Sequence, residues 1–277
     1  MKDCNITFIG GGNMARSLIG GLLADGFQSD NIHVADPDPD CLQTLSTQFG
    51  IHTYNDNIKA CAAADIVILA IKPQQLQSVV EQIANDWSQD RLLISIAAGI
   101  RLKDITRWLH NDNAAIVRTM PNTPSLVQAG ATALYANQHV TKAQHELAES
   151  ILRSVGLALW VKDEVQLDAV TALSGSGPAY FFLVMEAMEF AATEMGLPAE
   201  TARLLCLQTA FGAAKMALES DESTASLRHR VTSPGGTTER AIHELEDGGL
   251  RSLFENALIA AALRSRELAT ELGGSDA

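Results

Sequence analysis

The chain has 277 residues, 47% of them hydrophobic but only 5% aromatic, so Ala, Leu, Ile and Val must fill its core, as they do in helices and buried parallel strands. Its formal net charge of −13 comes without any Lys/Arg run, which argues against a nucleic-acid partner, because phosphate binding needs concentrated positive charge. No apolar run approaches the roughly 18 residues needed to cross a bilayer, so no membrane contact is expected.

Residues 5–9 read as a buried strand. A glycine turn and an apolar helix from about Asn13 to Ala24 follow. A short strand is predicted at Ile32 to Ala35, a helix from Asp38 to Phe49, and the clearest strand of the chain at Ile66 to Ile71. Next come a helix from Leu76 to Ala84, a strand at 92–96, a helix from Arg101 to Leu109 and a strand at 115–118. A strand at Ala131 to Tyr135, a helix from Lys142 to Leu152 and a strand at Leu157 to Val161 extend the pattern. Strands alternating with helices at this spacing predict a doubly wound parallel sheet. After Asp163 no strand pattern appears. One long helix spans Val165 to Met195, with a bend at Gly175-Ser176-Gly177-Pro178. Further helices are read over Pro198 to Glu219, Ala225 to Arg230, from Thr237, and over Leu250 to Leu272. So many Ala and Leu residues on more than one helix face predict burial against a second subunit.

The spacing Gly10-x-Gly12-x-x-Ala15 follows the first strand and opens the first helix. Gly10 suits a tight turn, Gly12 lets backbone approach a pyrophosphate, and small Ala15 lets the helix pack on the strand. With Asn13 and Met14 inside it, the turn aims free N–H groups at phosphates, and the βαβ context favours dinucleotide binding over a plain turn. Asp36 ends the second strand. It can accept hydrogen bonds from a ribose 2′-hydroxyl and so favour NADH, or it can serve as a turn residue in Asp36-Pro37-Asp38. Ala70, Lys72 and Pro73 lie at the carboxyl end of the clearest strand, where open sheets bind ligands; Lys72 can help fix a cofactor, guide an anionic substrate or simply be solvated. Ile96 to Gly99 and Met120-Pro121-Asn122-Thr123-Pro124 also follow strands and suit a backbone-lined cleft. Two glycines and a proline in Leu173 to Tyr180 break helical sequence at a cost that packing or a ligand should offset. Ser176 there has no His–Asp partner set and is not read as a nucleophile. Ser233-Pro234-Gly235-Gly236-Thr237-Thr238 precedes a helix and makes either a small carboxylate nest or a plain N-cap. The seven His residues and Cys4, Cys41, Cys61 and Cys206 show no metal-ligand spacing, so no metal and reduced thiols are expected. The start leads straight into a strand without a targeting peptide, which points to the cytoplasm. The fold class is therefore α/β, an N-terminal Rossmann doubly wound sheet over 1–163 and a C-terminal all-helical dimerisation and substrate domain over 164–277.

Five motifs in order, Gly12 to Ala15, Ala70 to Pro73, Met120 to Pro124, Leu173 to Tyr180 and Val231 to Thr238, resemble the pyrroline-5-carboxylate reductase family over nearly the whole chain. The resemblance implies NADPH or NADH across the crevice, touching Gly10, Gly12, Asn13, Met14, Ala15, Asp36, Asn57, Ala70, Lys72, Pro73, Ala97 and Ala98. It implies pyrroline-5-carboxylate, a cyclic imine with a carboxylate, as substrate near Ser176, and reduction to L-proline as the last step of proline biosynthesis. Ser233 and the N–H groups of Gly236 and Thr237 would hold that carboxylate, and Thr238 would orient the ring nitrogen. It also implies a homodimer that assembles into a homodecamer. Asp36 stands where many members carry Ser, which bears on NADPH use, and Thr237 where some carry Ala. Two rival readings are a 3-hydroxy-acid dehydrogenase and a dinucleotide sensor without turnover. The first usually wants a catalytic Lys or His in the helical half, where Lys215 is the only Lys after Lys162; the loop at Ser233 to Thr238 argues against the second.

Overall fold

The computed structural model describes residues 4–274; Met1, Lys2 and Asp3 of the predicted direct start, and residues 275–277, lie outside them. The N-terminal part alternates β1 (Ile6–Ile9), α1 (Asn13–Ala24), β2 (Ile32–Ala35), α2 (Pro39–Phe49), β3 (His52–Tyr54), α3 (Asn57–Cys61), β4 (Ile66–Leu69), α4 (Pro73–Ala84), β5 (Leu92–Ser95), α5 (Leu102–Leu109), β6 (Ala115–Met120), β7 (Gly130–Ala136), α6 (Lys142–Arg153) and β8 (Gly156–Trp160). These strands form one eight-stranded sheet in the order β3-β2-β1-β4-β5-β6-β7-β8. All pairs are parallel except β6–β7, which is antiparallel.

The central strands are apolar because both faces are covered. Every residue of β1, β4 and β5 is buried, and alternate side chains enter opposite layers. Phe8, Ile68, Ile94 and Val117 pack with Leu18 and Ile19 of α1, Leu45 of α2 and Ile151 of α6. Val67, Leu69, Leu93 and Ile116 pack on the other face with Leu76 and Val80 of α4 and Ile105 and Trp108 of α5.

Two short elements are absent from the sequence reading. β3 has three residues, none buried, at the sheet edge. The five-residue α3 depends on its cap: the Asp56 carboxylate accepts the N–H groups of Ile58 and Lys59 at 2.9 and 3.1 Å. α4 starts at Pro73 rather than Leu76, since proline needs no N–H partner in a first turn.

The helix expected over Val165 to Met195 is three pieces: α7 (Gln166–Val170), a π-helical turn over Thr171–Gly175, and α8 (Gly177–Glu194). α9 (Ala199–Glu219), α10 (Thr224–Arg230), α11 (Thr237–Asp247) and α12 (Leu250–Gly273) complete the chain. Contacts divide it into two units. The first runs to Ser176 and takes back the residues from Ala260 onward; the second is Gly177–Ile259. A division at 163 places α7 and the end of α12 with the other helices. In the structure both group with the sheet unit, α12 bonded to α7 and to α5. Ser265 Oγ donates to Asp168 Oδ1 at 2.7 Å and Arg266 Nε lies 3.5 Å from Asp168 Oδ2. The Arg107 guanidinium donates to the Gly273 carbonyl. Beside it burial raises the Asp104 carboxyl pKa, with Arg107 opposing.

The second unit buries little within itself. Only Gly177 of α8 and Ala202 and Cys206 of α9 are buried. The Cys206 thiol points at the Met185 carbonyl, 3.7 Å away. Phe181, Phe182, Phe190 and Phe211 are 67%, 64%, 69% and 63% exposed. An apolar surface of this kind marks a protein–protein interface.

Gly156 and Gly50 test what the sheet unit tolerates. Both have positive φ, but a Cβ on Gly156 would run into the Gly130 backbone, whereas Gly50 faces open space. Gly50→Ala should cost about 1–2 kcal/mol of strain, and Gly156→Ala upwards of about 3 kcal/mol once overpacking is added. Urea unfolding of the two variants measures the difference, and equal costs would contradict the account.

Candidate active site

Strand ends converge where the strand order reverses between β1 and β4, at the carboxyl edge where open sheets of this kind bind dinucleotides. Gly10 leaves β1 with φ +99°, and an ideal Cβ there would lie 2.5 Å from the Ala70 carbonyl oxygen. Its N–H donates to the Ala35 carbonyl at 2.8 Å, as the Ala70 N–H does to Ile9. Gly11 N–H donates to Asp36 Oδ2 at 2.8 Å, and Asp36 Oδ1 accepts from Asp38 N–H at 2.9 Å. The Asp36 carboxylate therefore carries out the turn role and also clamps the glycine turn. A carboxylate has about four acceptor positions, so capacity for ribose hydroxyls remains. The Cys41 thiol sits under the turn, donating to the Gly11 carbonyl at 3.3 Å. Burial raises its pKa, with Asp36 and Asp38 adding to the shift, which keeps it a packing thiol rather than a thiolate.

Gly12 is the N-cap of α1, with no side chain capping the helix. A Cβ on Gly12 would meet nothing within 4 Å. The first-turn N–H groups lack an intrahelical partner, next to a glycine that leaves room for approach. A pyrophosphate fits both features. Asn13 is exposed, Met14 half-buried and Ala15 buried against the sheet. Lys72 is exposed at the N-cap of α4, and Pro73 follows it. Ala97 is buried and Ala98 half-buried just beyond β5, whose ladder continues through Ile96 N–H to the Leu69 carbonyl at 3.2 Å. Asn57 opens α3, with its amide donating to Gln82 Oε1 of α4 at 2.8 Å.

Ser176 is half-buried at the end of the π-helical turn. The remaining predicted residues lie in the second unit. There Gly235 has φ +71°, and Gly236 is the N-cap of α11 without a side-chain cap. Gly236 N–H closes a turn onto the Ser233 carbonyl at 3.0 Å, so it is already occupied. Gly235 N–H donates to Glu239 Oε2 at 2.7 Å: the loop holds a carboxylate from its own helix. Thr237 and Thr238 open α11 with N–H groups that lack intrahelical partners. Ser233 and Thr237 are exposed and Thr238 half-buried.

One cluster had no place in the sequence reading. Buried Arg118 donates to Glu164 Oε1 at 2.9 Å, and that oxygen also accepts the N–H of Leu102, the first residue of α5, at 2.8 Å. Its signal in sequence is a charged residue inside the otherwise apolar strand around Ile116 and Val117.

Sheet order, glycine turn and uncapped helix define a dinucleotide-binding Rossmann protein with an added helical unit. Residues 164–268 match the family described as pyrroline-5-carboxylate reductase dimerisation, and the chain is 50% identical to the pyrroline-5-carboxylate reductase of Pseudomonas aeruginosa over 99% of its own length and all of that protein. The chain belongs to the pyrroline-5-carboxylate reductase family. Residues 5–99 match a second family, described as NADP oxidoreductase, coenzyme F420-dependent. A solved pyrroline-5-carboxylate reductase from Coxiella burnetii superposes with a TM-score of 0.92 at 50% identity, covering 96% of this chain and 99% of that one. The Plasmodium falciparum pyrroline carboxylate reductase, solved with NADP bound, gives 0.87 at 28% identity, covering 98% and 100%. The chain is thus a nicotinamide-nucleotide oxidoreductase with a C-terminal dimerisation domain.

Gly12→Ala should leave the fold intact and place a methyl group where phosphate would approach. Fluorescence titration should show weakening of NADPH and NADH by about tenfold or more, roughly 1.4 kcal/mol, at an unchanged melting temperature. Unchanged affinity would remove Gly12 from the site.

Proposed function

We propose that the protein reduces 1-pyrroline-5-carboxylate to L-proline with NADPH or NADH, the last step of proline biosynthesis. The observation that carries this is the end-to-end identity with a pyrroline-5-carboxylate reductase, through the nucleotide-binding part and the helical part alike. The cradle at Gly10 to Ala15, Asp36 and Ala70 supports the nucleotide half of the reading, with Asn57, Lys72, Pro73, Ala97 and Ala98 along the remaining length of the cofactor. When bound, the dinucleotide supplies the hydride. We assign the nucleotide-binding part to 1–163 and the dimerisation and substrate part to 164–277.

In this reading the Ser233 hydroxyl and the Thr237 N–H hold the substrate carboxylate at the N-terminus of α11, where the helix favours negative charge. Gly236 shapes the loop, its own N–H being bonded to Ser233. Thr238 Oγ hydrogen-bonds the ring nitrogen, and Ser176 borders the ring. A protonated imine needs orientation rather than a strong general acid, and no Lys or His is assigned to proton transfer. The exposed phenylalanines of α8 and α9 support a homodimer, and we extend this to a homodecamer. The cytoplasm is the compartment we assign, in keeping with the thiols of Cys41, Cys61 and Cys206; no helix of the described residues is long and apolar enough to cross a membrane.

Thr238→Ala should lower turnover of pyrroline-5-carboxylate by about 10²-fold, as expected for lost positioning, and leave nucleotide affinity within about twofold. Turnover near that of the wild type would end this role for Thr238. Asp36→Ser removes a negative charge beside the ribose but also loosens the clamp on Gly11. Steady-state kinetics should show kcat/KM rising with NADPH and falling with NADH, a change in preference of about tenfold or 1.4 kcal/mol. An equal fall with both would leave Asp36 as a turn residue alone.

A further inference from the structure

The end of β6 and the link to β7 carry Met120 to Pro124, residues to which the proposed reaction gives no task. Asn122 lies there, half-buried and outside regular structure. Its carboxamide makes three bonds. Nδ2 donates to the Ser174 carbonyl at 3.2 Å and to Ser174 Oγ at 3.3 Å. Oδ1 accepts the Ala131 N–H of β7 at 2.8 Å. One side chain thereby ties the π-helical turn, 52 residues downstream, to the sheet. The turn also rests on the end of β6, since a Cβ on Gly175 would run into Met120 Cε. At its other side the link is anchored to α1, where Ser17 Oγ donates to the Ser125 carbonyl. The segment from Met120 to Ser125 therefore connects the helix that opens at the phosphate turn with the turn that ends at Ser176.

A π-helical turn is an extra residue inserted into a helix, and such insertions are rare and cluster at functional sites. Here Ser176 N–H bonds back to the Thr171 carbonyl at 2.8 Å. Without the insertion Ser176 would be rotated by about 100° around the helix axis. In this strand order β4, β5 and β6 form the second mononucleotide half of the sheet. The end of β6, where Met120 meets Gly175, consequently borders the nicotinamide side of the crevice.

We infer that Asn122 is a positioning residue for hydride transfer. It holds the π-helical turn, and with it Ser176, in the one register that orders the substrate side of the crevice. It acts through Ser174 rather than on the reacting atoms. The inference rests on the reading of the protein as a pyrroline-5-carboxylate reductase.

The test uses the full-length enzyme with NADPH and pyrroline-5-carboxylate, comparing wild type, Asn122→Ala and Asn122→Asp. Asn122→Ala loses all three bonds. Its kcat should fall on the order of 10- to 100-fold, the range expected for small misplacements, with nucleotide affinity within about twofold and a cooperative melt. Asn122→Asp keeps the shape and the acceptor for Ala131 N–H. As a carboxylate it sets an oxygen against the Ser174 carbonyl; once protonated it regains a donor. Its kcat relative to wild type should therefore rise as pH is lowered, a dependence that simple loosening of the fold does not produce and that serves even if Asn122→Ala fails to fold. A kcat for Asn122→Ala within twofold of wild type overturns the inference. So does an Asn122→Asp to wild-type ratio that stays flat with pH. A wild type inert with both nucleotides would overturn the functional reading itself, whereas an active wild type with indifferent variants overturns only the role of Asn122.

Discussion

The close approach of Gly10 to Ala70 sets the terms for the nucleotide-binding unit. With 2.5 Å between an ideal Cβ and a backbone oxygen, only glycine can turn the chain out of β1 while β4 stays paired beside it. That turn delivers Gly11 N–H to the Asp36 carboxylate and leaves Gly12 open at the start of α1. Glycine here resolves a steric conflict between two parallel strands whose ends must meet. Ligand access follows from the same geometry, because the chain that has no room for a side chain toward β4 at Gly10 has open space beside it two residues later, at Gly12.

Charge is handled locally. A protein with a formal charge of −13 binds a polyanion only if short-range donors outweigh the overall field, which falls off within about 8–10 Å at ordinary ionic strength. Uncapped helix starts provide such donors at α1 and α11. Asp36 is the exception, an anion placed within hydrogen-bond distance of the phosphate turn. It steadies the turn by binding Gly11. In the proposed reading, selection between nucleotides would be coupled to rigidity of the turn through one carboxylate.

The helical unit follows a different logic. Its Ala- and Leu-rich helices expose phenylalanine side chains that the unit itself does not cover. Burying one such side chain fully is worth roughly 1.5–3 kcal/mol, so several together give a dimer its driving force. The polar stitches of the sheet unit, Ser265 and Arg266 to Asp168 and Arg107 to Gly273, are directional by contrast and hold the end of α12 in place.

The sequence by itself determined the elements whose signal is local. Buried strands at Ile6, Ile66 and Leu92 announce themselves as runs of Ile, Val and Leu, and the glycine spacing between the first strand and the first helix marks the nucleotide turn, although the carbonyl that Gly10 must clear belongs to Ala70, beyond β4. Tertiary structure alone decided what depends on partners distant in the chain. β3 was illegible because three half-polar residues at an edge bury nothing, and the antiparallel direction of β7 because strand pairing is chosen by the whole sheet. That the Asp36 carboxylate also holds the Gly11 N–H, 25 residues away, is visible only in the fold. Gly236 looked like an available donor until its N–H proved to be bonded to Ser233. The break at Gly175 to Pro178 was visible as a propensity defect. That it is a π-helical turn gripped by Asn122 follows from a contact 52 residues long, and no local preference encodes such a bond.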